Sequence, residues 1–153
     1  MRSQKYFIIF FILICLWCLG IISPIIFQNE KVYQLVKPFL NLTYSQVCHQ
    51  SHEKTLSLGG ENVLVCSRCT GIYLGVFLTG LFSLILSKIP QRIFYFLLLS
   101  LILMFIDVFL TTLGICSYSK SFALLTGVFL GSTLLLFVLE QLNYFKTQNS
   151  YEK

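Results

Sequence analysis

Charge is what this chain has least of. Eleven basic and six acidic residues make up 11% of its 153 positions, while 56% are hydrophobic and the mean hydropathy is +0.81. Soluble domains carry about 25% charged residues. So thin a polar coat excludes a water-facing globule of this size and leaves an integral membrane protein. The net charge of +5 is spread out, with no basic cluster, so no nucleic-acid partner is expected; these charges orient loops and anchor helix ends. Histidine is nearly absent. His49 and His52 are the only two, which confines imidazole chemistry to one short stretch. Tryptophan occurs once, and Trp17, Tyr6, Tyr95 and Tyr144 read as packing or interface aromatics, not as a cofactor box. A signal-cleavage site is also missing. The first apolar run follows Arg2 and Lys5 and is about 22 residues long, beyond the usual 7–15 of a secretory segment, and no small-residue site follows it. Cys15 and Cys18 are preceded by Ile14 and Trp17, not by the small residue of a lipoprotein site. An uncleaved anchor is expected, with both cysteines as small packing residues mid-membrane.

Four segments have the length to cross a hydrocarbon core of about 30 Å, which takes about 20 residues. They lie near Tyr6–Phe27, Gly71–Ser87, Ile93–Gly114 and Ser121–Leu139, the second able to extend back through Cys69. The expectation is an all-α membrane protein: four transmembrane helices in one integral domain over residues 1–153, with one extracytoplasmic Cys/His loop, 28–70. Arg2, Lys5, Lys88, Arg92, Lys146 and Lys153 fall on one side of such a topology. Lys31, Lys37, Lys54, Arg68 and Lys120 fall on the other, over a longer stretch. Denser basic residues mark the cytoplasm, so both termini are placed inside the cell membrane and the Cys/His loop outside. The lipid bilayer is the partner this implies; a homo-oligomer stays open.

Within the loop, Val32, Leu35, Val36, Phe39 and Leu40 have helical spacing and predict an amphipathic helix on the outer leaflet, kinked or divided at Pro38. Asn41-Leu42-Thr43 matches a glycosylation sequon by chance. Leu58-Gly59-Gly60-Glu61-Asn62 reads as a turn, and Val63-Leu64-Val65 as a short strand leading into a cysteine pair. A weak repeat relates Thr70-Gly71-Ile72-Tyr73-Leu74-Gly75 to Thr126-Gly127-Val128-Phe129-Leu130-Gly131. Small residues at Gly71, Gly75, Thr79 and Ser83, and at Ala123, Gly127 and Gly131, recur every fourth position, so the second and fourth spans are expected to cross in contact.

The chemistry concentrates in residues 48–69, which hold three cysteines and both histidines. Cys66-x2-Cys69 has zinc-knuckle spacing, and Cys48 with His49 or His52 completes a tetrahedral set. Cys48 and His52, four apart, share a helical face more easily than adjacent Cys48 and His49. Thiolate and imidazole suit zinc or another soft metal. The same atoms allow a redox reading. Cys66 and Cys69 sit at a helix amino end beside Arg68, where a thiolate is favoured, and Cys48 can act as the exchange partner. In coarse plan this resembles vitamin K epoxide reductase and its bacterial quinone-linked relatives. A plain disulfide or an inert metal staple is the third reading.

Asp107 is the only charge inside the four spans. It lies about 10 Å below the outer surface at 1.5 Å per residue, where a charge needs a partner or a proton. Arg68 reaches down from the same side, and an Asp107–Arg68 pair, helped by Thr111 or Thr112, would tie the third span to the Cys/His loop. A protonated Asp107 bonding a neighbouring helix, or a small transporter using Asp107, are the alternatives. Cys116, just past the third span, is either a fourth sulfur ligand or a spare thiol.

At Cys48-His49-Gln50 and Cys66-Ser67-Arg68-Cys69-Thr70-Gly71-Ile72-Tyr73-Leu74-Gly75 the chain resembles the prokaryotic membrane-protein family called domain of unknown function 2085. Asp107 and Thr126-Gly127 match its membrane aspartate and later Thr-Gly. The likeness spans roughly residues 45–131. Lys54-Thr55-Leu56 stands where the family usually has an Arg-Ser-Phe-like step. The resemblance implies a membrane bundle and a shared Cys/His site, and carries no activity with it.

Overall fold

A computed structural model describes residues 2–27, 31–48, 52–58, 61–85, 92–115 and 117–151, with side chains described from Ile8 to Leu142 within those stretches, except at Val32, His52, Leu58, Glu61, Leu84 and Ile85. In chain order it has helix α1 (Arg2–Ile26), helix α2 (Lys31–Ser45), a 3-10 turn (His52–Lys54), strands β1 (Thr55–Leu58) and β2 (Glu61–Cys66), and helices α3 (Ser67–Ile85), α4 (Ile93–Thr112) and α5 (Lys120–Tyr151). Among the described residues three helical stretches are long and apolar enough to cross a membrane: Ile8–Ile26, Ile93–Thr112 and Lys120–Leu142. They leave leucine, isoleucine and phenylalanine exposed along most of their length, as lipid-facing helices do when no lipid is present.

The tightest packing is between α3 and α5. A Cβ on Gly71 would collide with the carbonyl of Leu124, and one on Gly75 with that of Val128; in return, Gly127 meets the carbonyl of Arg68 and Gly131 that of Ile72. Glycine is required at all four places because the opposing group is backbone, which cannot swing away. The expected contact between these two spans is therefore present. On the other side of α5, the buried hydroxyls of Ser100 and Thr133 lie 2.9 Å apart and tie in α4.

Helix α1 packs on α3 lower down, where the rings of Phe11 and Phe77 stack at 5.8 Å. Near its carboxyl end Pro24 has no N–H to give the Gly20 carbonyl. The Ser23 hydroxyl donates to that carbonyl instead, at 2.6 Å, and α1 runs on to Ile26.

Residues 55–66 depart from the all-α expectation. β1 and β2 form an antiparallel hairpin, pairing Thr55 with Cys66 and Leu58 with Glu61, with an irregularity between Thr55 and Ser57. The cause is local: β-branched Val63 and Val65 favour a pleated, half-buried surface. Gly59 and Gly60 of the expected turn lie outside the described residues. Val63, Leu64 and Val65 are buried against Ile21, Tyr44 and Cys48 in an apolar cluster.

Helix α2 continues through Pro38 instead of dividing there. It turns Tyr33, Leu40 and Tyr44 inward and leaves Leu35, Val36, Phe39 and Leu42 exposed. The Tyr44 hydroxyl donates to the Trp17 carbonyl at 2.8 Å, and its ring lies 4.7 Å from that of Trp17. Burial pushes the Tyr44 phenol up to about 12, so it remains a neutral donor. α5 overruns the expected Leu139 boundary, since residues 140–151 contain neither glycine nor proline to stop it.

Candidate metal centre

Three backbone elements deliver three sulfurs to one point. Cys48 follows α2, whose end is closed by the Cys48 N–H donating to the Tyr44 carbonyl at 3.0 Å. Cys66 ends β2, and Cys69 lies in the first turn of α3. The chain passes from strand to helix at Cys66–Ser67 without a loop, so the Cys66-x2-Cys69 spacing wraps a single helical turn. Their Sγ atoms all lie within 4.8 Å of one another. Cys48 is buried and the other two are partly buried. Among the described residues none of the five cysteines is in a disulfide.

The surroundings favour anionic sulfur. The backbone N–H of Cys66 donates to Cys48 Sγ at 3.1 Å. The Cys69 thiol, as donor, holds the Cys66 thiol far below its ordinary value, at about 5; burial opposes this, and the Cys69 backbone, the Cys48 thiol and the Arg68 backbone add to it. Of these two, the Cys69 thiol is thereby the one that keeps its proton.

Arg68, between the two cysteines, turns away from the sulfurs. Its Nε donates to Asp107 Oδ2 at 2.7 Å, and its Nη2 lies 2.6 Å from the same oxygen without making a hydrogen bond. The pair is 16% and 10% exposed. Asp107, the chain's one aspartate, thus holds the carboxyl-terminal part of α4 to the start of α3. The expected help from threonine is absent. Thr111 donates to the Asp107 backbone carbonyl at 2.6 Å and Thr112 to that of Val108 at 2.8 Å. A helical threonine finds its own i−4 carbonyl first where no water competes.

Sequence reasoning missed Tyr118. This residue of the α4–α5 connection has the Arg68 guanidinium 5.4 Å from its ring centroid and the Lys54 ammonium at 5.7 Å. Burial, above all, raises its phenol from the ordinary value, and the Ser67 hydroxyl beside it opposes this. No spacing rule announces such a residue. The Ser67 hydroxyl also donates to the Lys54 carbonyl at 2.9 Å, which locks the 3-10 turn against the start of α3.

The histidines are less completely placed. His52 opens the 3-10 turn, three residues before the Thr55 that pairs with Cys66, and its side chain is not described. His49 and Cys116 lie outside the described residues. Cys15 and Cys18 stand apart from the triad, on α1.

Comparison with known proteins agrees with this anatomy. A family profile described as "Predicted membrane protein (DUF2085)" matches residues 48–137, from the first sulfur of the triad into α5. An uncharacterized protein of Methanocaldococcus jannaschii is 26% identical over 145 residues, covering 89% of this chain and 92% of its own. An uncharacterized protein of Methanothermobacter thermautotrophicus is 38% identical over 74 residues, covering 48% of this chain and 67% of its own. No solved structure matches. With its triad, its Arg68–Asp107 pair and both glycine motifs all inside the matched stretch, the chain belongs to the DUF2085 family of predicted membrane proteins.

Proposed function

We propose that this protein is a four-span protein of the cell membrane, one integral domain, that binds a soft metal ion at its extracytoplasmic face. Cys48, Cys66 and Cys69 are the ligands, with His52 or His49 as the fourth. Arg68 and Asp107 position the cysteine loop on the bundle. The observation that carries this is the mutual approach of three sulfurs within 4.8 Å. Around a tetrahedral ion with metal–sulfur bonds of about 2.3 Å, neighbouring sulfurs stand about 3.8 Å apart, so a small inward movement closes the set. The amide donating to Cys48 Sγ supports the same reading, because metal thiolates are held and tuned by such hydrogen bonds. His52 is favoured because its turn is locked beside Cys66 through the Ser67–Lys54 bond. The fourth span is α3, 19 residues long and packed along α5. The outward orientation rests on the denser basic residues at the other side.

A second reading, thiol–disulfide exchange through Cys66 and Cys69, is supported by the same lowered Cys66 thiol at the start of a helix. Transport through Asp107 loses its main support, since that carboxylate is engaged by Arg68. Elemental analysis of protein purified in detergent with reductant separates the two. One zinc or other soft metal per chain, lost in Cys48→Ser, supports the metal centre. A metal-free protein whose Cys66 and Cys69 form a reducible disulfide of intermediate potential supports exchange.

A further inference from the structure

Helix α2 presents three different sides. Tyr33, Leu40 and Tyr44 turn inward. Gln34, Asn41 and Ser45, at i, i+7 and i+11, form an exposed polar edge. Pro38 is exposed beside that edge and leaves the Gln34 carbonyl without its helical partner, so the edge belongs in water or among headgroups. The third side is apolar. Leu35, Phe39 and Leu42, at i, i+4 and i+7, are 82%, 69% and 63% exposed.

Contacts with α1 set the level of that apolar side. The Tyr44 hydroxyl donates to the Trp17 carbonyl, and a Cβ on Gly20 would strike that same hydroxyl. At 1.5 Å per residue, Gly20 and Trp17 lie about 9 and 14 Å inside the Ile26 end of the apolar stretch Ile8–Ile26. The carboxyl end of α2 therefore stands beside the span, at a level where α1 itself exposes Leu16, Leu19 and Ile22. The triad lies close to this level. Cys18 Sγ meets the Tyr73 carbonyl at 3.8 Å, and Tyr73 is one turn further along α3 than Cys69.

We propose that α2 is an arm seated in the phospholipid of the leaflet at the carboxyl end of α1, and that this seating holds Cys48 at the triad. Phospholipid is the occupant because the apolar stripe shares its depth with the exposed side chains of α1. The polar edge beside the stripe fits a helix lying at a water–lipid boundary. The link to Cys48 is short and bonded. The N–H groups of Val47 and Cys48 both donate to the Tyr44 carbonyl, at 3.2 and 3.0 Å, so a shift of the helix carries Cys48 with it. Seating acts on the sulfur positions, with or without a metal among them.

Trp17 is the chain's single tryptophan, so Trp17→Phe combined with Phe39→Trp, or with Asn41→Trp, gives one reporter at a time. In phospholipid nanodiscs the reporter at 39 should be quenched by lipids brominated near the top of the acyl chain and shielded from aqueous acrylamide. The reporter at 41 should do the reverse. Quenching at 39 by acrylamide alone places the stripe in water and overturns the seating. Quenching at 39 by neither agent means that protein, a second copy or a partner, covers the stripe, and overturns it equally. Wild-type protein gives an independent readout: a phospholipid with a photoreactive acyl chain should label the peptide containing residues 35–42, and no label there overturns the seating. The hold on Cys48 is read in metal-free nanodiscs with the triple variant Leu35→Gln/Phe39→Gln/Leu42→Gln. Crosslinking of Cys48 to Cys66 by a short bifunctional thiol reagent should fall about tenfold, the equivalent of losing one buried apolar side chain, while crosslinking of Cys66 to Cys69 stays as in wild type. Cys48–Cys66 crosslinking equal to wild type overturns the hold. If both crosslinks fall alike the fold is lost, and Phe39→Gln alone takes the place of the triple variant.

Discussion

Thr70–Gly75 in α3 and Thr126–Gly131 in α5 are near copies in sequence, and in space they face each other. Gly71 and Gly75 admit the α5 backbone just as Gly127 and Gly131 admit that of α3. Ahead of the glycines the copies part. Where α3 has Arg68 and Cys69, α5 has Leu124 and Leu125. Cys69 turns into the sulfur triad, while Leu125 is 66% exposed. Packing was duplicated and chemistry was not, so the glycines report on how the bundle closes and the residues before them on what it holds.

Breaking the shared half should have the larger effect. Gly71→Val and Gly127→Val each drive a side chain into backbone, at or above the upper end of overpacking costs, about 3 kcal/mol or more. Both should abolish the monodisperse detergent-solubilised protein by size-exclusion chromatography, and to the same degree. A tolerated Gly127→Val beside a lethal Gly71→Val would show that the two motifs are not equivalent.

Breaking the unshared half should spare the fold and remove the chemistry. Cys69→Ser should lower bound metal more than tenfold by elemental analysis, while Leu125→Ser, its counterpart, should leave metal content unchanged. Asp107→Asn comes next. It leaves Arg68 without its counter-charge in a site only 16% exposed, which costs on the order of a few kcal/mol. Thermal unfolding in detergent should show the loss, and Arg68→Gln added to it should restore part of it.

The smallest effect is in pH. Because the Cys66 thiol is lowered to about 5, its thiolate persists below the ordinary value of 9.0. In metal-free protein, iodoacetamide should label Cys66 at a rate nearly level from pH 8 to pH 6, falling only as pH drops through about 5. The same shift stabilises the metal-free fold fully above the ordinary thiol value and not at all below the lowered one. A labelling rate that falls tenfold per pH unit across that range would mean that Cys69 does not donate to Cys66.

Much of this difference was legible in the sequence. The small-residue spacing announced the α3–α5 contact, and the cysteine spacing announced the triad, because both are periodic or local signals. Asp107 announced its pairing with Arg68 because a charge at that depth demands a partner. The hairpin was half visible: Val63–Val65 carried a strand signal, whereas Thr55–Leu58 became a strand only by pairing with it. Tyr118 and the Cys18–Tyr73 contact were not legible, since each depends on a loop or helix meeting a partner far along the chain.

X-ray absorption at the edge of the metal that copurifies with the reduced wild-type protein tests the central claim most directly. Three sulfur neighbours at about 2.3 Å, with a single nitrogen completing the shell, are predicted. A shell of oxygen and nitrogen alone, or a protein that copurifies with no metal, would contradict it.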